Sequence, residues 1–281
     1  MLDITVHCLV RNEEYFVEAA LRSVLPIAKR VLVYDTGSTD RTLERIAAIG
    51  SDRIEVVRKT DASPRRLTDY RNEMIEQTTT EWFWLVDGDE IYPAAALPPL
   101  EAEMRRVPDG VHRIVVSRRH FVHSLGFISR WDGLGRIYRT GRIRIIRDYP
   151  RQTARLRDDP SAPFSRFSTA FPRDIFFFHG SHLPRSSKDA DLGRLRGWRQ
   201  LPFPALPYFG PWPDALETQT MARRSRAGVW AQAVALNAKI LGARALARAG
   251  RLAGPRPGPP GQVTAAVSGG YRPSSRTTLD A

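Results

Sequence analysis

Cysteine is nearly missing from the chain. Cys8 is the only one among 281 residues, so no disulfide framework can form within one molecule. That agrees with a reducing compartment. The start, Met1-Leu-Asp-Ile-Thr-Val6, lacks a basic stretch followed by an apolar run and a small-residue cleavage site, and a secretory signal is not expected. No uninterrupted apolar stretch approaches the roughly 20 residues that span a bilayer. These absences lead us to expect a soluble protein kept in the cytosol, with at most peripheral contact with a membrane. Lysine is scarce as well: Lys29, Lys59, Lys188 and Lys239 are the only ones among 43 basic residues. The net charge of +13 is therefore carried by scattered arginines, with no basic blocks. Such scatter speaks for coding bias rather than a nucleic-acid stripe, while the same charge suits an anionic lipid surface or a pyrophosphate-bearing ligand.

Hydrophobic residues make up 42% of the chain, enough for a core without metal or disulfide staples. The first half alternates strand and helix patterns. Strands are expected at Ile4–Val10, Val31–Tyr34, Ile54–Val57 and Trp82–Val86, and helices at Glu13–Leu25, Arg41–Ile49 and Arg65–Gln77. Asp40 or Thr39 can cap the second helix, Gly50 can stop it, and Ser63-Pro64 can open the third. Short apolar runs in βα order imply a parallel sheet with helices on both faces. In such sheets ligands bind beyond the carboxyl ends of the strands. Both acidic clusters, Asp35–Asp40 and Asp87–Glu90, fall at such ends.

The second half is less regular. A strand is expected at His112–Ser117, a hairpin around Thr140-Gly141 joining Arg136–Tyr138 to Arg142–Ile146, and a strand at Asp174–Phe178 closing on His179. Pro202–Pro213, rich in proline and aromatics, reads as a loop, and Thr218–Ala249 as a long helix with an apolar stripe. From Gly250 the composition is that of a disordered tail. The expected division is residues 1–200 as one α/β domain (a regular half 1–93 and a less regular half 94–200), then loop and helix 201–249, then tail 250–281.

Four pieces, Val6–Glu14, Val33–Thr42 with its Asp35-Thr-Gly-Ser-Thr-Asp40, Arg71-Asn72, and Leu85–Glu90 with its Asp87-Gly-Asp-Glu90, occur in this order over residues 3–93. Together they resemble glycosyltransferase family 2. The resemblance implies a GT-A α/β fold, with a mixed, mostly parallel sheet that binds a nucleotide-sugar and a divalent cation at its C-terminal edge. A C-terminal helical extension is expected from the sequence pattern. The resemblance also implies that Asp35 recognises the base or ribose of the nucleotide.

The chemistry of the clusters agrees with it. Alternate residues at a strand end can aim Asp87 and Asp89 into one cleft, and Gly88 leaves the backbone open to a ligand. Mg²⁺ or Mn²⁺ takes such carboxylates together with substrate phosphates and water. Asp89 is the expected metal ligand, and Asp87 the expected contact to ribose or metal-bound water. Arg11 and Asn12 can line the nucleotide pocket, and Arg71 can meet a phosphate or hold the acidic loop. Asp40 reads as a helix cap. His179, at a strand end with His182 nearby, is a candidate additional metal ligand, whereas His112, His120 and His123 have no such context.

Inverting transfer needs a carboxylate base, which the resemblance places downstream of the acidic metal motif. Asp132, Asp148, Asp158, Asp159 and Asp174 are eligible, and Asp148 or Asp174 is favoured. The donor is expected to be a UDP-sugar and the acceptor a glycan or lipid-linked molecule, for cell-envelope polysaccharide. Two alternatives stand beside this reading. Nucleotidyl transfer would want a glycine-rich loop where Val10-Arg-Asn-Glu-Glu14 stands. Against a non-catalytic basic protein binding nucleic acid or anionic polymer, Asp87 and Asp89 would repel the phosphates unless a cation were present.

Overall fold

The computed structural model describes residues 1–122, 124–128, 132–148, 151–189, 205–209, 216 and 226–253. Its first half follows the apolar pattern. Strand β1 (Ile4–Val10) is buried along its length except at Leu9, and pairs in parallel with β2 (Arg30–Asp35) and β4 (Trp82–Leu85). Strand β3 (Ile54–Arg58) pairs in parallel with β2 and is largely exposed. Helix α1 (Val17–Val24) turns Val17, Ala20, Leu21 and Val24 into the core at helical spacing. It starts later than expected because Glu13 and Glu14 are committed elsewhere: their amides bond to Thr42 Oγ1 and Asp40 Oδ2. Helix α2 (Thr42–Ala47) is followed by a turn that reaches Gly50, whose φ is +67°, and helix α3 (Pro64–Glu76) begins with its proline in the first turn.

Beyond β4 the sheet is mixed, which corrects the expectation of a mostly parallel one. After the two-residue strand β5 (Glu90–Ile91) and helix α4 (Leu97–Met104) come β6 (Arg113–Val122), β7 (Ser124–Ile128) and β8 (Asp132–Arg139) with no helix between them. Without a crossover, successive strands return antiparallel. β8 pairs antiparallel with both β4 and β6, and β6 with β7. The hairpin expected around Thr140-Gly141 does not form. Gly141 (φ +79°) turns the chain out of the sheet, and β9 (Ile143–Asp148) pairs instead with β10 (Arg151–Leu156) as a separate two-stranded sheet. Asn72 of α3 takes up both backbone groups of Ile145, which fixes β9 in that place.

Strand β11 (Ser168–Ala170) and strand β12 (Phe176–His182) run parallel to β6. β12 starts later than expected and continues past His179, with an irregularity between His179 and His182. It also pairs antiparallel with β5, setting His179 opposite Glu90. Of the aromatic loop, Ala205–Phe209 is described, and Leu206–Pro207 forms β13 against β7. The final helix, α5, spans Arg226–Ala253, so it passes Gly250. Its Val229, Ala233 and Leu236 pack on Val122, Phe127 and Ala205, while Trp230, Val234 and Leu241 are exposed. Residues 217–225, Trp212 and the tail from 254 lie outside the described residues. Among the described residues, no helix is long and apolar enough to cross a membrane.

Candidate active site

The parallel register brings Val10 beside Asp35, so the segments after β1, β2 and β4 leave the sheet at one edge. Asn12 fastens two of them together. With a φ of 53° it donates its amide to Ser38 Oγ at 2.9 Å, and its Oδ1 accepts the Thr39 amide at 2.7 Å. Its side chain thus shapes the loops. Asp35 is buried, and its two oxygens take the Ser38 amide at 3.2 and 3.3 Å across the turn that Gly37 (φ +95°) makes possible. Asp40 precedes the N-cap position of α2, which Arg41 occupies, and its Oδ1 accepts the Thr42 amide at 2.9 Å at the head of the helix. Its other oxygen ties down Ser186 at 2.5 Å.

The acidic turn after β4 is built around two guanidinium groups. Arg71 donates to Asp87 Oδ1 at 2.5 Å, and Arg136 of β8 reaches Asp87 Oδ2 at 3.3 Å and also bonds Glu90. Burial would raise the Asp87 pKa, but Arg71 and Arg136 outweigh it and hold the carboxyl well below the usual carboxylate range. Glu90 is fully buried and its other oxygen accepts the Asp87 amide at 3.2 Å, which closes the turn. At Gly88 an added Cβ would stand 2.9 Å from both Glu13 Cγ and Val10 Cγ1. The glycine is there for space.

Asp89 is only 2% exposed. Its Oδ2 faces His179 Nε2 at 3.5 Å and Arg185 Nη1 at 3.1 Å. Arg185 also meets Glu13 at 3.2 Å; burial disfavours its charge, but Asp89 and Glu13 prevail and raise its pKa. Burial lowers the His179 pKa against the pull of Asp89, so the imidazole is neutral at neutral pH. A cleft of about 230 Å³ is lined by Leu9, Arg11, Thr36 and Leu67 together with Asp87, Asp89, His179 and Arg185. A larger hollow of about 340 Å³ between α3 and β9 shares no residue with it.

The donor chemistry suits a hard or borderline cation. Two donors each about 2.1 Å from one ion lie about 3 Å apart when adjacent in its shell and about 4.2 Å apart when opposite. The observed 3.5 Å gap between Asp89 and His179 falls inside that range. Among the described residues no group of three or more His, Cys, Asp or Glu side chains is arranged to hold a metal. Oxygen ligands from outside these side chains would have to complete the shell.

The fold therefore gathers Arg11, Asp87, Asp89 and His179 into one cleft, with Asp35, Asn12 and Arg71 supporting its walls. Of the base candidates, Asp174 is not gathered with them. Asp174 is exposed and precedes β12, five residues before His179, or about 16 Å along an extended chain. Asp148 ends β9 opposite Arg151, and its side chain lies outside the described residues. Sequence reasoning missed Arg136, Arg185, Glu90 and His120. Of these only Glu90 had a signal, its place in the Asp-Gly-Asp-Glu run. Arg136 and His120 reach the site through strand register, and Arg185 through the loop that follows β12.

The model of the family described as "Glycosyl transferase family 2" matches residues 5–176, more than half of the chain. The SPbeta prophage-derived glycosyltransferase SunS of Bacillus subtilis (strain 168) is 32% identical over 89 residues, which are 32% of this chain and 20% of that protein. The chain thus matches about a fifth of that relative's length. Among solved structures, glucosyl-3-phosphoglycerate synthase from Mycobacterium tuberculosis, in complex with Mn²⁺, uridine diphosphate and glucosyl-3-phosphoglycerate, is 24% identical. That alignment covers 43% of this chain and 44% of that one, with a TM-score of 0.31. S. aureus TarS 1–349 is 15% identical, covering 71% of this chain and 72% of that one, with a TM-score of 0.43.

Proposed function

The chain belongs to glycosyl transferase family 2, and we propose that it moves a sugar from a uridine diphosphate sugar to a hydroxyl of a glycan or lipid-linked acceptor. The observation that carries this reading is the Asp89–His179 pair at 3.5 Å on a cleft whose acidic turn is anchored by Arg71 and Arg136. Asp89 and His179 would hold a divalent cation, Mn²⁺ or Mg²⁺. When bound, that ion neutralises the charge of the departing diphosphate.

The chain's own groups do the rest. Asp35, Arg11 and Asn12 form or support the nucleoside end of the cleft, where a carboxylate accepts from a ribose hydroxyl or a uracil N–H. Arg71 keeps Asp87 ionised and oriented. Arg185 supplies a positive charge at the phosphate end, next to Asp89. Of the two downstream carboxylates we retain Asp148 as the acceptor's base in an inverting displacement. Asp148→Asn should then lower kcat with donor affinity intact; an unchanged kcat removes it.

Calorimetric titration with UDP and GDP, each with and without Mn²⁺, tests the reading. UDP should bind tightly only with Mn²⁺, and Asp89→Asn should abolish that dependence. Equal UDP affinity with and without the ion would overturn it.

A specific observation also favours an anionic membrane as a contact surface. Helix α5 contains Arg226, Lys239, Arg244, Arg248 and Arg251 and no acidic residue, and it exposes Trp230, Val234 and Leu241. Vesicles containing phosphatidylserine should co-sediment the protein at low salt and release it at high salt. No co-sedimentation at low salt removes the contact.

A further inference from the structure

His120 lies on β6 directly opposite His179 of β12, because the two strands run parallel in that register. The two rings meet through the same kind of atom: His179 Nδ1 and His120 Nδ1 are 3.1 Å apart. Two ring nitrogens at that distance require one proton between them. With a proton on each they would clash, and with none the lone pairs would repel. Ser181 Oγ, at 3.5 Å from the same His120 nitrogen, is the weaker neighbour. At its other end His179 presents Nε2 to Asp89 Oδ2 across a 3.5 Å gap, long for a hydrogen bond.

The location of the shared proton decides what His179 can do. If Nδ1 of His179 carries it, Nε2 is a bare lone pair facing a carboxylate oxygen, an arrangement satisfied by a cation. If His120 carries it, Nε2–H points at Asp89 and the imidazole cannot ligate. A metal-ligating histidine is ordinarily fixed by the partner that accepts its other N–H. Here the residue in that place is a second imidazole.

We propose that His120 is the positioning residue of the cation site: its Nδ1 accepts the Nδ1–H of His179 and so turns the Nε2 lone pair toward Asp89. This rests on the assignment of Asp89 and His179 as cation ligands. His120 touches neither substrate nor ion in this arrangement and acts through His179.

Two measurements test it. In the first, Mn²⁺ is titrated by electron paramagnetic resonance in the presence of UDP. His120→Leu should weaken Mn²⁺ binding about tenfold or more, while His120→Asn, whose amide oxygen stands near the lost Nδ1 and can accept the same proton, should stay within about threefold of wild type. In the second, long-range ¹⁵N–¹H correlation on the wild-type protein with Mg²⁺ and UDP reads the tautomer directly. The His179 signals are recognised by their loss in His179→Ala. His179 should be the Nδ1–H form. This measurement needs no His120 variant, so it decides the matter even if His120→Leu fails to fold.

A folded His120→Leu protein that binds Mn²⁺ like wild type overturns the proposal, as does His179 carrying its proton on Nε2 in the loaded state. In both cases wild-type Mn²⁺ binding persists and the functional reading stands. A wild-type protein that binds no Mn²⁺ with UDP overturns both.

Discussion

Asn72 and Ile145 are joined at both ends, the Asn72 Nδ2 donating to the Ile145 carbonyl and its Oδ1 accepting the Ile145 amide, each at 2.9 Å. The side-chain amide thus does for β9 what a neighbouring strand would do. Its chain neighbour Arg71 turns the other way, into Asp87. Asn72→Ala leaves two backbone groups without this partner, at about 1–3 kcal/mol. In a protein of this size that lowers the melting temperature by about 2–4 °C per kcal/mol. A scanning calorimeter trace unchanged from wild type would contradict the role.

Gly88→Ala should leave the fold intact and damage the cleft. The new methyl meets Glu13 Cγ and Val10 Cγ1 at 2.9 Å, so the turn carrying Asp87 and Asp89 must shift by several tenths of an ångström. Displacement on that scale should weaken Mn²⁺-dependent UDP binding about tenfold or more, with a circular dichroism spectrum like wild type. Unaltered binding would mean that the turn tolerates a side chain there.

Arg136→Met should be the most destabilising single change at the site. It strands the Glu90 carboxylate, which has 0% exposure, beside an ionised Asp87. Removing one partner of a buried ion pair costs about 3–5 kcal/mol. Adding Glu90→Gln removes the stranded charge and should return part of the loss, a coupling that urea titration of the single and double variants measures. Additive effects would show that the two do not interact energetically.

Acid should act in two separate windows. His7 is fully buried, bonded to Thr78 Oγ1 at 2.6 Å and stacked on Phe83, and burial, reinforced by Arg71 and Arg30, puts its pKa well below the ordinary 6.5. The unfolded chain takes up a proton near 6.5 while the folded chain does not, so stability declines as pH falls below that value. The slope is about 1.4 kcal/mol per pH unit for one histidine. His179 and His182 shift in the same direction and steepen it. Asp87 is lowered, so its contribution is present above its ordinary 3.8 and is lost only below it. His7→Gln should flatten the first limb by one proton's worth; an identical slope would place the uptake elsewhere.

Much of the cleft was legible in the sequence because its parts sit at ends of short apolar runs. β1 matched its expected span residue for residue, and Asp87-Gly-Asp-Glu90 followed β4 as its pattern required. The failures share one cause. Arg136 and His120 lie inside strands whose sequences say nothing of which strand will neighbour them, and both became site residues through antiparallel or parallel register. The Thr140-Gly141 hairpin failed for the same reason: a turn signal shows that the chain bends without naming the partner, and here β10 pairs with β9 while Asn72 of α3 holds it in place. Asp174 was favoured for its residue type alone, and exposure at the entry of β12 separates it from the cleft.

The two rungs between β5 and β12 carry a consequence for how the molecule is made. They pair Ile91 with Phe178 and Glu90 with His179, and they are what brings Asp89 within reach of its histidine. Residues so distant along the chain meet only after nearly the whole sheet has closed, and such contacts are slow to form. A nascent chain halted anywhere before β12 has the acidic turn but no imidazole opposite it. On the proposed assignment of Asp89 and His179 as cation ligands, competence for the ion arrives with the last strands, and its appearance during refolding should be a clock for completion of the fold.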